Sequence, residues 1–360
     1  MNVLYFMEPK TNQSFGGVTT VAYNLPRALA KKIAIKYYPV FAPNIRHATS
    51  LLNIYRRLIT REFDVVHFNV SPAWTQGGYS LFKLADITDT STILNIHGII
   101  QLEYSLYGFE KGSLNNLLLR IVRCCKIVDK IVTYSEFMRR RIITWYRVNP
   151  DKIVIIPNGV NISRFAESKS KLFLEGDPAI LYLGHLSKSV DLLINAVSAI
   201  RSELPELKLH IVGNGDIAAL KLFAKKKRVE NRVVFHGPIA SEETPIYYKA
   251  ADFFVFPSAH TPAGITILEA MASGTAVIAS NKGGTQEIIT SGENGILFDP
   301  NNVASLPKAI LAMHHNLKLR RRISQNALKT VKAYGWENIA EKYIYLYKSL
   351  RETRSDKGKM

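Results

Sequence analysis

A lone carboxylate inside a stretch otherwise suited to anions marks residues 251–274, ADFFVFPSAHTPAGITILEAMASG. The apolar run Phe253 to Phe256 reads as a buried strand, which Pro257-Ser258 stops. A loop carrying His260, Thr261, Pro262 and Gly264 follows. From Ile265 the placement of Leu268, Ala270, Met271 and Ala272 predicts a packed helix ended by Gly274. A strand, a glycine-bearing loop and a helix N-terminus in that order make an anion site. The unbonded N–H groups of the first turn and the positive end of the helix dipole point into the loop. Glu269 lies a little over one turn into the helix, too far in to cap it. A carboxylate there competes with a bound phosphate unless it faces something neutral and rich in hydroxyls, such as a ribose.

The elements around this stretch alternate. Strand-like runs at Asn2 to Met7, Lys36 to Val40, Asp64 to Asn69, Thr92 to His97, Lys130 to Tyr134 and Ile153 to Ile156 are separated by helical patterns. That alternation predicts βαβ units and a parallel sheet. A polar stretch, Glu167 to Pro178, reads as a linker. A second α/β domain opens at Ala179 with AILYLG and continues through Leu207 to Gly215 and Val233 to Gly237. Gly16-Gly17 sits in the first strand–helix loop, where the glycines either turn the chain or let a backbone approach a phosphate or sugar closely. His97-Gly98 falls just past a strand end, where ligands bind in open α/β sheets. His67, at the previous strand end, fits a structural or a functional part equally. Ser135 suits an N-cap for EFMRRRIITWYRV, a helix that sets Arg139, Arg140, Arg141 and Arg147 beside Phe137, Ile142, Trp145 and Tyr146. Such a basic, aromatic helix is either a solvated, partly buried helix of its domain or one that lies on an anionic membrane.

The chain has 360 residues, enough for two ordinary domains. It carries 47 Lys+Arg against 29 Asp+Glu, a net charge of +18. Residues 1–170 hold 22 basic and 11 acidic side chains and the remainder 25 and 18, so the excess is heavier in the first part. A basic surface suits phosphate-bearing substrates, anionic lipid or nucleic acid. Nucleic acid is excluded as the expected partner, since no recognised motif accompanies the charge. The first residues, MNVLYFMEP, lack the features of a signal peptide, and no apolar run is long enough to span a bilayer. Cys124 and Cys125 are adjacent and make no metal-binding spacing. A cytoplasmic protein is expected, attached peripherally to the inner face of the cell membrane.

Several of these stretches, in this order, resemble glycosyltransferase family 4, the retaining, nucleotide-sugar-dependent enzymes of the GT-B fold. Pro257-Ser258, Gly264 and Glu269-Ala270-Met271-Ala272-Ser273-Gly274 match the family signature, whose second glutamate Glu269 represents. Thr261 stands where the family has its first glutamate, and Ala263 where it has an aromatic. Gly184-His185-Leu186-Ser187-Lys188 is similar to the family's Gly-Arg-Leu…Lys-Gly segment, with His185 replacing the arginine and a shorter loop to Lys188. Pro157-Asn158-Gly159-Val160 and Gly283-Gly284-Thr285-Gln286-Glu287 also match.

The resemblance implies two Rossmann-like α/β domains facing across a cleft. Residues 1–170 would bind acceptor, with a helix over 333–352 crossing back to them, and 171–332 would bind donor. The polar tail after Arg351 is expected to fray. The implied donor contacts are Gly16, Gly17, His185, Lys188, Gly213, Ile239, Gly264, Ile265 and Glu269, and the implied catalytic set is His97, Lys188, Thr261 and Glu269. The expected reaction transfers a hexosyl-type sugar, with retention, from a nucleotide diphosphate sugar (UDP rather than GDP) to a saccharide or lipid-linked acceptor in cell-surface polysaccharide or glycolipid synthesis. No cofactor and no metal are expected, because basic groups can replace the ion and no Asp-x-Asp occurs. Thr261 keeps a rival open: a GT-B scaffold or partner subunit with weakened catalysis.

Overall fold

The computed structural model describes residues 1–7, 17–39, 53–69, 78–99, 111–168, 172–259 and 264–357. The chain divides into two units, Met1–Gly159 with Trp336–Met360, and Val160–Gly335. The division falls ahead of the expected linker because Val160 and Phe165 are buried in the second unit's core.

The first unit holds six strands: β1 (Asn2–Met7), β2 (Ala34–Pro39), β3 (Val65–Phe68), β4 (Ser91–Asn95), β5 (Lys130–Thr133) and β6 (Ile153–Ile155). All pair in parallel, in the order β2-β1-β3-β4-β5-β6. β3 and β4 are buried along their whole length, as a sheet covered on both faces requires. One face packs Leu4, Phe6, Val66, Phe68, Leu94 and Ile131 into an apolar core. The other face is polar and equally buried. Its Asn95 donates to Asn69 Oδ1 at 2.7 Å and to the Tyr343 hydroxyl at 3.0 Å, and His67 Nδ1 lies 2.6 Å from the Tyr347 hydroxyl. Burial pushes His67 down to about 3, so the ring is neutral at physiological pH. His67 is thus part of the seat of the last helix, Trp336–Lys357.

That helix corrects one expectation. It continues past Arg351 to Lys357. Composition hides the reason, which is that Arg354 grips Asp129 with both carboxylate oxygens at 2.9 and 3.0 Å and also pairs with Asp86 and Asp89. Asp129 in turn accepts from the backbone N–H and hydroxyl of Thr92. Only 14% of the Arg354 side chain is exposed, so the pair is partly desolvated and stronger than a surface pair. Arg354→Ala should cost about 1–3 kcal/mol in urea denaturation and release amide protection over 351–357. Unchanged protection there would show that the pair is ornamental.

The second unit repeats the layout with β7 (Ala179–Leu183), β8 (Lys208–Val212), β9 (Val233–Gly237), β10 (Phe253–Phe256), β11 (Ala276–Ser280) and β12 (Ile296–Phe298). They pair in parallel in the order β12-β11-β10-β7-β8-β9. From β7 the chain moves outward to β8 and β9, then returns to the other side of β7 to lay down β10, β11 and β12. β7 and β10 thus flank the point where the strand order reverses, the place at which open α/β sheets bind ligands.

Candidate functional site

Two segments flank this switch point. The one leaving β7 is Gly184 to Lys188. Gly184 N–H donates to the Val212 carbonyl and Leu186 N–H to the Asn214 carbonyl, which staples this loop to the turn after β8. The fit demands glycine at Gly213: its φ is +144°, and a Cβ there would lie 1.8 Å from the Gly184 carbonyl oxygen. Gly213 thus supports the β7 loop from behind. The Tyr182 hydroxyl donates to the His185 carbonyl at 2.7 Å and fixes the loop from below.

The departure from arginine at His185 has a structural answer. Its Nδ1 accepts from the Ser187 backbone N–H at 3.3 Å and lies 2.8 Å from the Ser187 hydroxyl. An accepting Nδ1 leaves the ring proton on Nε2, an assignment made from the hydrogen-bond network. Burial, and then the charge of Lys188, hold the His185 pKa below its ordinary value. The ring is a neutral donor at pH 7, and Lys188 is the loop's cation.

The loop leaving β10 runs into the Ile265–Ala272 helix, with Gly264 as its N-cap. A Cβ on Gly264 would come 2.6 Å from the Ile267 side chain, so glycine lets the first turn close against Ile267. The helix is buried at Ile265, Ile267, Leu268, Ala270, Met271 and Ala272, which leaves Thr266 and Glu269 partly exposed. Glu269 Oε2 accepts from the Tyr248 hydroxyl at 3.0 Å. Burial raises the Glu269 carboxyl to about 7, against the opposing pull of Tyr248 and of Arg164. Two residues that the motifs do not reveal therefore act on Glu269. Tyr248 lies in the Thr244–Ala250 helix, and Arg164 in the short Ile162–Ala166 helix capped by Asn161. Ile239, in the turn after β9, is partly buried against the same core.

The structure brings His185, Lys188, Gly213, Ile239, Gly264, Ile265 and Glu269 into the second unit, on the loops and helices that follow β7, β8, β9 and β10. Gly17 opens the Gly17–Ala30 helix after β1 in the first unit. His97, also there, has both ring nitrogens engaged: Nε2 at 3.2 Å from the Asn69 carbonyl and Nδ1 at 2.8 Å from the Tyr134 hydroxyl. Burial lowers it to about 4, so it is neutral. Gly16 and Thr261 lie outside the described residues. No cluster of three His, Cys, Asp or Glu able to hold a metal occurs among the described residues.

Known proteins bear on this geometry. Residues 163–330 match the family model "Glycosyl transferases group 1" and residues 18–164 match "Glycosyltransferase Family 4". An uncharacterised glycosyltransferase of Methanocaldococcus jannaschii is 32% identical over 237 residues, covering 62% of this chain and 60% of that one. The mannosylfructose-phosphate synthase of Agrobacterium fabrum is 29% identical over 260 residues, covering 67% and 56% respectively. The chain thus spans about 60% or less of the length of these relatives. Among solved structures, Anabaena HepE in complex with UDP superposes with a TM-score of 0.74 at 19% identity, over 97% of this chain and 100% of that one.

Proposed function

The chain belongs to the family 4 glycosyltransferases, with two Rossmann-like domains of the GT-B fold, and from that premise we propose that it moves a sugar from a nucleoside diphosphate sugar to an acceptor hydroxyl with retention. The carrying observation is the switch point between β7 and β10 in the second unit. There a cationic loop, Gly184 to Lys188, and a helix N-terminus at Ile265 leave adjacent strands, with a carboxylate, Glu269, one turn further in. In this reading Lys188, His185 Nε2–H and the first-turn N–H groups hold the diphosphate. Glu269 accepts from ribose hydroxyls. The UDP bound by Anabaena HepE supports a uridine rather than a guanosine donor.

In the proposed reaction the bond from the anomeric carbon to the β-phosphate oxygen breaks. The acceptor oxygen bonds to that carbon from the same face, and its proton goes to the departing phosphate. The work asked of the chain is electrostatic stabilisation of that phosphate, which Lys188 and the helix N-terminus can give without a metal ion. Thermal-shift screening of nucleotide sugars, with the anomeric configuration of the product read by NMR, tests the reading. No stabilisation by any nucleoside diphosphate would end it.

A saccharide or lipid-linked acceptor, as in polysaccharide or glycolipid synthesis, would be met by the first unit. Two helices there support attachment to an anionic bilayer. Trp145, Arg140 and Arg147 are exposed on and just after Glu136–Tyr146, and Leu119, Arg120, Arg123 and Lys126 are exposed on Lys111–Ile127. No helix of the described residues is long and apolar enough to cross a membrane. Flotation with anionic vesicles should show binding that fades as salt rises and weakens in Trp145→Ala. Equal binding to neutral vesicles, or none to either, would remove the membrane from the proposal.

Thr261 favours a second reading, a scaffold that binds donor without transfer. A threonine can hydrogen-bond a sugar hydroxyl but holds no charge. We expect the native protein to transfer, and Thr261→Ala to slow single-turnover transfer about tenfold, the worth of one hydrogen bond. Donor binding with no transfer by the native protein, and transfer gained in Thr261→Glu, would establish the scaffold instead.

A further inference from the structure

Arg164 has no place in the signature motifs, yet three features of the second unit meet at it. Its guanidinium donates to the Ser241 carbonyl and lies 3.2 Å from the Ser241 hydroxyl. Ser241 opens the turn that follows β9 and Ile239, and its carbonyl also accepts from the Thr244 hydroxyl at 2.9 Å. The helix carrying Arg164 is itself pinned. Asn161 caps it by accepting from the Arg164 N–H at 3.1 Å, and Phe165 is buried edge-on to Tyr248, with ring centroids 6.0 Å apart. Tyr248 is the residue that donates to Glu269. The guanidinium also acts on the Glu269 carboxyl through space, and no ion pair joins them. Tyr248 and Arg164 are the ionisable groups whose pull on Glu269 opposes its burial.

We propose that Arg164 is a positioning residue for the nucleoside half of the donor: it fixes the Ser241 turn on one side and keeps the Glu269 carboxylate ready for ribose hydroxyls on the other. The inference rests on reading the second unit as a nucleoside diphosphate site. It differs from a packing role because its two effects depend on different properties of the side chain. The grip on Ser241 is made by one nitrogen, Nη2, which reaches carbonyl and hydroxyl together from one bond beyond the point where a lysine side chain ends. The effect on Glu269 needs only a positive charge. Lysine keeps the second and loses the first, and glutamine loses both.

The test uses the native protein, Arg164→Lys and Arg164→Gln, and two readouts. In the first, the Glu269 carboxyl is titrated by carbon NMR of ligand-free, glutamate-labelled protein, with Glu269→Gln supplying the assignment. Arg164→Gln should raise the midpoint, and Arg164→Lys should leave it near the native value. In the second, UDP and GDP binding are measured by calorimetry above that midpoint. Both variants should bind about tenfold more weakly than the native protein, Lys included, because the Ser241 turn is loosened in each. An unmoved midpoint in Arg164→Gln, or native affinity in Arg164→Lys, overturns the proposal while native nucleotide binding leaves the donor site standing. Failure of the native protein to bind either nucleotide overturns the donor reading and this proposal with it.

Discussion

Gly213→Ala is expected to destabilise the second unit by roughly 3 kcal/mol or more and to abolish nucleoside diphosphate binding at concentrations that saturate the native protein. Two costs add at this position. The backbone sits at φ +144°, where a side chain is strained. The new methyl would also meet the Gly184 carbonyl at 1.8 Å and the Gly184 carbonyl carbon at 2.8 Å, backbone atoms that cannot rotate away. Relief requires the β7 loop to move, and that loop carries His185 and Lys188. Gly292 separates the two costs. It has φ +83° with nothing within 4 Å of a built Cβ, so Gly292→Ala carries conformational strain alone, about 1–2 kcal/mol, and should leave nucleotide binding untouched. Urea denaturation and calorimetry on both variants check the pair. Native binding in Gly213→Ala would mean that the two loops are not mechanically joined.

Buried parallel strands were the most legible part of the chain. Asn2–Met7, Val233–Gly237 and Phe253–Phe256 stand in the structure with the bounds that their apolar runs indicate. An apolar run does not state its neighbours, however. That β10 returns beside β7 is a fact of pairing, and the switch point that gathers Lys188 and Ile265 follows from it. Motif residues were legible because a strand–loop–helix segment is local. Tyr248 and Arg164 were not, because each acts on Glu269 from a different helix, and a tyrosine within TPIYYKA has the periodicity of any core aromatic. The end of the last helix fails for the same reason, since RETRSDK is polar and its anchors, Asp86, Asp89 and Asp129, lie far off in sequence.

Glu269 couples function to stability with opposite signs, and this gives the other large effect. Burial lifts its carboxyl to about 7, well above the ordinary value of 4.5 that an unfolded chain would show. Between those two pH values the folded state binds more protons than the unfolded one. Stability therefore falls as pH rises from about 4.5 through 7 and is flat above, where the folded protein bears a poorly solvated carboxylate. Because Glu269 is only partly buried, solvent screening reduces the full linkage energy to about 2 kcal/mol. Glu269→Gln should erase this slope and make the ligand-free protein more stable than native at pH 8. The same substitution should weaken nucleoside diphosphate binding at pH 8 by about 1.5–3 kcal/mol, because ribose hydroxyls lose a charged acceptor. Native affinity should itself fall as pH drops through 7. The Glu269→Gln profile, in which only the nucleotide phosphates titrate, supplies the baseline for that fall. A variant that is destabilised at pH 8, or that binds as tightly as native, would place Glu269 in the fold rather than at the donor.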